Sequence, residues 1–107
     1  MTTPQLTTHI LDAMSGSPAE GVEVVLRSGG EVVASGVTDD DGRLALGPES
    51  LPLGSYEIGF ATGAYFAARG VETFYPDVTI AFTVASDRHY HVPLLLSPFA
   101  YSTYRGS

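Results

Sequence analysis

Short runs of β-branched and aromatic residues recur along this chain, and almost every one is closed by a glycine, proline or aspartate cluster. That spacing constrains the fold more than any other feature, because brief strands joined by tight turns build sandwiches and barrels and leave little chain for helices. Strands are expected at residues 6–11, 21–27, 32–38, 43–46, 56–62, 78–84, 90–96 and 100–104. Ser15-Gly16-Ser17-Pro18 and Asp39-Asp40-Asp41-Gly42 read as turns. Gly29-Gly30 reads as a two-residue hairpin turn, since both central positions of such a turn need positive φ. The one helical stretch is AYFAAR at 64–69, followed by Gly70, a residue suited to the left-handed position that ends a helix. The expectation is an all-β sandwich with one short helix.

A chain of 107 residues accommodates one domain, 1–107, and 44% hydrophobic residues supply a core without a disulfide or metal staple. Cysteine is absent, which excludes a disulfide framework and a thiolate zinc site. The opening MTTPQLTTHILDA has neither a basic nor a continuous apolar region, and no later run approaches a membrane span. A soluble cytoplasmic protein with no membrane partner is therefore expected. A net charge of −7, with all five basic residues arginine and none clustered, would repel a phosphate backbone, so nucleic acid is not an expected partner.

Two segments break the rule of one apolar and one polar face. VPLLL (residues 92–96) is apolar on both sides, and SPFAYSTY (97–104) carries three aromatics close together. Strands of that kind ask for a cover on each face, and a second copy of the chain would supply it. Burial under long loops is the alternative.

The three histidines, His9, His89 and His91, are the side chains suited to proton transfer near neutrality. His89 and His91 fall on one face of a strand by their alternate spacing. Three histidines can also form an open zinc site, but no acidic residue stands beside the His-x-His pair in its strand, and no metal is expected. The three consecutive aspartates do not match the alternating ligands of a calcium loop and read as a solvated turn. No Gly-x-Ser-x-Gly elbow, nucleophilic cysteine or phosphate-cradling loop is present. The remaining set of His, Arg, Ser, Thr and Tyr suits activation of water by a general base, with Arg and hydroxyl groups holding an electron-rich heterocycle.

HILDAMSGSPAEGVEV (9–24) and YHVPLLLSPFAYSTYRGS (90–107) resemble the N- and C-terminal signatures of the transthyretin family, and GVTDDDGR (36–43) and TGAYFAARGVETFYP (62–76) resemble it at corresponding points. The hydrolase branch of that family differs from the hormone carriers by a terminal Tyr-Arg-Gly-Ser, a His in the first strand, a central Arg and a His before Val-Pro. All four are here, as Tyr104-Arg105-Gly106-Ser107, His9, Arg43 and His91. Asp39 stands where many members have Asn, and Ala100 where Gly or Ser is usual; neither position is expected to touch the chemistry. The resemblance implies a transthyretin-like sandwich of two four-stranded sheets, a homotetramer with sites in the channel between dimers, and no cofactor. It also implies hydrolytic opening of the six-membered ring of 5-hydroxyisourate to 2-oxo-4-hydroxy-4-carboxy-5-ureidoimidazoline. In that reading His9, Arg43, His91 and Ser107 are catalytic and Tyr104, Arg105 and Gly106 bind substrate. The competing reading is a carrier of a small aromatic ligand. Burial of unpaired His and Arg would be costly in an apolar ligand channel, and this weighs against it.

Overall fold

The computed structural model describes residues 3–107. Nine strands and one helix follow in the order β1 (Leu6–Asp12), β2 (Ser17–Pro18), β3 (Glu23–Ser28), β4 (Glu31–Val37), β5 (Arg43–Leu46), β6 (Gly54–Phe60), α1 (Thr62–Ala67), β7 (Val78–Val84), β8 (Tyr90–Ser97) and β9 (Ala100–Thr103). They form two sheets. One runs β4-β3-β6-β7 with every pairing antiparallel. The other runs β2-β1-β8-β9, with β5 also paired to β1.

Alternation decides which face of each strand is inside. Leu6 and Ile10 of β1 and Tyr90, Val92, Leu94 and Leu96 of β8 meet Val24, Leu26, Ile58, Phe60, Val78 and Val84 from the other sheet. Each fully buried side chain of this size contributes about 1.5–3 kcal/mol. The central strands β1 and β8 are thus anchored by their inner faces, and their outer faces are free to carry polar groups in fixed positions.

Strand β1 is the hub. Strand β8 runs parallel along one of its edges from Leu6 to Asp12, while the other edge is shared end to end by β5, opposite Leu6 to His9, and by β2, opposite Leu11 and Asp12. The four-stranded width expected from the resemblance is therefore kept, but one lane holds two short strands. Ser17 and Pro18 were expected as turn and instead pair with β1, because Asp12 Oδ1 accepts the amides of Met14 and Ser15 and turns the chain straight back.

The Gly29-Gly30 hairpin is as expected, with φ of 59° and 83°. The helix starts two residues early, at Thr62. Gly63 lies inside it and donates its amide to the Pro76 carbonyl at 2.9 Å, so that glycine serves close approach to the 71–77 segment rather than marking a boundary. Gly70, at φ 68°, closes the turn after α1. Residues 61 and 62 consequently leave the expected 56–62 strand, which ends at Phe60.

Candidate active site

The candidate site grows from the outer face of the five-stranded sheet. With Leu6, Thr8, Ile10 and Asp12 of β1 buried, Thr7 and His9 point outward. The parallel ladder sets Thr7 beside His91 and His9 beside Pro93, and the antiparallel ladder sets Thr7 opposite Ala45 and His9 opposite Arg43. Partners in register share a face, so Thr7, His9, Arg43, Ala45 and His91 occupy one outward patch.

Part of this patch sinks into a groove of about 460 Å³ lined by Thr7, Thr8, Asp39, Arg43, Leu44, Ala45, His89, His91 and Ser107. Arg43 enters it from the start of β5, whose direction is set by the preceding turn. Asp39 Oδ1 accepts the amides of Asp41 and Arg43, each at 2.9 Å, and Gly42 sits at φ 72° where a Cβ would lie 2.5 Å from the Ile10 carbonyl. Asp39 was expected to stand apart from the chemistry. It lines the groove instead, because the same carboxylate that caps the turn delivers Arg43.

Thr7 joins two histidines. Its Oγ1 lies 2.8 Å from His89 Nε2 and 2.8 Å from His91 Nδ1, and the two rings stack with centroids 6.5 Å apart. His89 precedes β8 rather than belonging to it, yet its loop is fixed. The buried Gln5 side chain donates to the carbonyls of Ser86 and Arg88 and accepts from the Leu51 amide, while Tyr90 Oη accepts from the Ala85 amide. Burial, followed by Arg43, His89 and His9, pushes the half-buried His91 below the ordinary histidine pKa. The shift favours the neutral ring, the form that can accept a proton.

The chain's last residues complete the groove. The Gly106 amide donates to the His91 carbonyl at 2.9 Å, which pins the tail antiparallel against β8. A Cβ at 106 would collide with His91 Cδ2 and approach Pro93 Cγ to 3.2 Å, so glycine is required by close packing over the ring. Ser107 is thus carried into the groove. Tyr104 and Arg105 line a second cavity of about 330 Å³, shared with Ile80, Phe82 and Tyr90, and the Arg105 guanidinium lies 4.5 Å from the Tyr90 ring centroid. His91 borders both spaces.

Of the residues expected from sequence, Arg43, His91 and Ser107 meet in the groove, and Gly106 packs on His91. His9 is next to them through its register but does not line the groove. Tyr104 and Arg105 lie on the far side of His91. Thr7, Thr8, Asp39, Leu44 and Ala45 were not anticipated; the one signal for Thr7, its place two before His9 on the same strand face, does not single it out. Among the described residues the three histidines do not bring their ligand atoms within 4.8 Å of one another; only Asp39, Asp40 and Asp41, all exposed, do so.

Known proteins share this fold closely. The HIUase/Transthyretin family profile matches residues 6–106. The chain belongs to the HIUase/Transthyretin family. Within this family it is similar to the 5-hydroxyisourate hydrolase of Salmonella dublin, with 48% identity over 95% of this chain and 80% of that protein. The solved 5-hydroxyisourate hydrolase of Klebsiella pneumoniae superposes with a TM-score of 0.90 at 45% identity, covering 95% of this chain and 98% of that one. Sea bream transthyretin in complex with thyroxine also superposes, with a TM-score of 0.87, but at 32% identity over 95% of this chain and 94% of that one. The family fold therefore spans both hydrolases and a hormone binder, and the two stand at different distances from this sequence.

Proposed function

We propose that this chain hydrolyses 5-hydroxyisourate, opening the six-membered ring to give 2-oxo-4-hydroxy-4-carboxy-5-ureidoimidazoline, as a single domain that needs no cofactor. The observation that carries the reading is the convergence of His91, held below the ordinary histidine pKa, with Arg43 and Ser107 in one groove. Identity of 45–48% to the two hydrolases supports it.

In this mechanism His91 takes a proton from water as the oxygen adds to a ring carbonyl carbon. Arg43 offers its fork of N–H donors to the developing oxyanion. The carbonyl then re-forms, the ring C–N bond breaks, and the proton returns to the leaving nitrogen, so the reaction consumes one water and leaves a carboxylate. His9 orients the water from the neighbouring register position, and Ser107 holds the substrate edge with its hydroxyl. Arg105, Tyr104 and Gly106 complete the binding surface from the tail. A positioned base contributes ~10²–10⁴-fold and an oxyanion donor ~10²–10³-fold, enough for the loss of either to be plain in an assay.

The groove is open on its outer side, and strand β9 is exposed throughout, with Tyr101 and the neighbouring Phe99 and Tyr104 in water. Those surfaces support a homotetramer in which copies of the chain cover one another's outer sheets and close the site. The setting proposed is the cytoplasm, with neither nucleic acid nor membrane as partner; no described helix is long and apolar enough to cross a bilayer. The test is to generate 5-hydroxyisourate from urate with urate oxidase and follow its absorbance. Catalytic amounts of protein should remove it well ahead of spontaneous decay, with chelator making no difference. An unchanged decay curve overturns the assignment, and chelator-sensitive activity moves it to a metal-dependent site.

A further inference from the structure

The Thr7 hydroxyl touches both histidines but has only one proton to give. With Oγ1 at 2.8 Å from His89 Nε2 and from His91 Nδ1, it can donate to one ring nitrogen and must accept from the other. Two polarities satisfy that geometry. In one, His91 donates from Nδ1 and Thr7 donates to His89; in the other the chain runs backwards. The Cδ2 edge of His91, next to Nε2, faces Gly106 and the tail that carries Ser107 into the groove, where Arg43 also stands. A bare Nε2 leaves His91 a lone pair with which to take the proton of water, whereas an N–H there would leave none, since Nδ1 is engaged by Thr7. The first polarity is favoured.

From this geometry we infer that Thr7 is a positioning residue that fixes His91 in its Nδ1–H tautomer and relays a proton from His91 to His89 during water activation. The inference rests on the hydrolase reading above. The balance is simple: as water's proton arrives at His91 Nε2, the Nδ1 proton passes to Thr7 Oγ1 and the Thr7 proton passes to His89 Nε2. Thr7 ends as it began, and the positive charge moves from His91 to His89. His91 is half-buried and faced by Arg43 from β5, by His9 from β1 and by His89 from its own chain segment, with Asp39 and Ser107 also lining the groove. His89 is less buried within the chain than His91, so the charge is less costly there. The clamp of Gln5 on the 86–88 carbonyls keeps His89 within reach of the hydroxyl.

The experiment compares Thr7→Val, which keeps the β-branched shape and removes the hydroxyl, with Thr7→Ser, which keeps the hydroxyl. Thr7→Val should lower kcat by ~10-fold or more with little change in KM, and Thr7→Ser should restore most of that rate. Adding His89→Ala to Thr7→Val should cost nothing further, because both changes cut one path. Nitrogen-15 imidazole spectra of the resting protein, taken where both rings are neutral, should show His91 protonated at Nδ1 and His89 bare at Nε2, with the His91 preference lost in Thr7→Val. Equal rates for the Val and Ser variants, or a His91 tautomer indifferent to Thr7, overturn the relay. If the wild-type protein fails to hydrolyse 5-hydroxyisourate, the functional reading falls, while the spectra still decide whether Thr7 sets the tautomer.

Discussion

At the scale of single residues, His91 is the proposed base, its protonation is opposed by its surroundings, and its pH behaviour follows from that. Burial first, and Arg43 next, hold it below the ordinary histidine value, so it stays unprotonated to lower pH than a free imidazole. The acid limb of kcat/KM against pH should therefore lie below 6.5, and in Arg43→Gln the residual activity should show that limb displaced upward. A limb that does not move would separate Arg43 from the base. His9→Ala, Arg43→Ala and His91→Ala should each lower kcat by at least about tenfold, measured on protein whose circular dichroism is unchanged. These three positions were legible in sequence because His and Arg are rare here and stand inside recognisable motifs. Thr7 was not, since a threonine on a strand is ordinary; its role exists only because a strand from the far end of the chain lies alongside in parallel register.

At the scale of elements, two contacts govern how the site strands are held. The tail is fixed by one backbone bond and by the absence of a side chain at 106, so Gly106→Ala should displace Ser107 and disturb His91 together. We expect a loss of ~10-fold or more in kcat with melting temperature nearly unchanged, read by the urate-coupled assay and by thermal denaturation. Full activity in that variant would place Ser107 outside the chemistry. Helix α1 is tied to β1 by the buried Tyr65, whose hydroxyl donates to Asp12 Oδ2 at 2.8 Å, and the Arg69 guanidinium covers the ring at 3.7 Å. Burial and the neighbouring carboxylate raise the Tyr65 hydroxyl to about 12. Tyr65→Phe should cost about 1–3 kcal/mol in urea denaturation by leaving Asp12 short of a partner. The sign with pH is also fixed: the unfolded chain releases this proton first, so wild-type stability should fall as pH rises from 10.0 toward 12, and the Phe variant should lack that loss. Turns and strand centres were readable because glycines and alternation mark them. The helix start and β2 were not, because a contact with Pro76 and a carboxylate-capped turn at Asp12 decide them, and neither leaves a periodic trace.

At the scale of the whole molecule, the apolar content of β8 and β9 was legible early, and the structure shows where it goes. The inner face of β8 fills the core, Pro93 is buried beneath the tail, and β9 presents its side chains to solvent. Light scattering should report a tetramer, and a charged residue at Tyr101, as in Tyr101→Asp, should lower both the assembly and the activity; a stable, fully active monomer would refute the assembly. The parallel pairing of β1 with β8 has a consequence of a different kind. Thr7 and His91 are separated by 84 positions, so their pairing closes one of the longer loops in the fold. Closing so long a loop gains nothing until the intervening sheet is in place, which puts this pairing late in folding and slows the whole process to roughly milliseconds or longer. In time, then, the groove is among the last parts of the protein to exist. During refolding, the return of catalysis should lag the return of β-sheet signal.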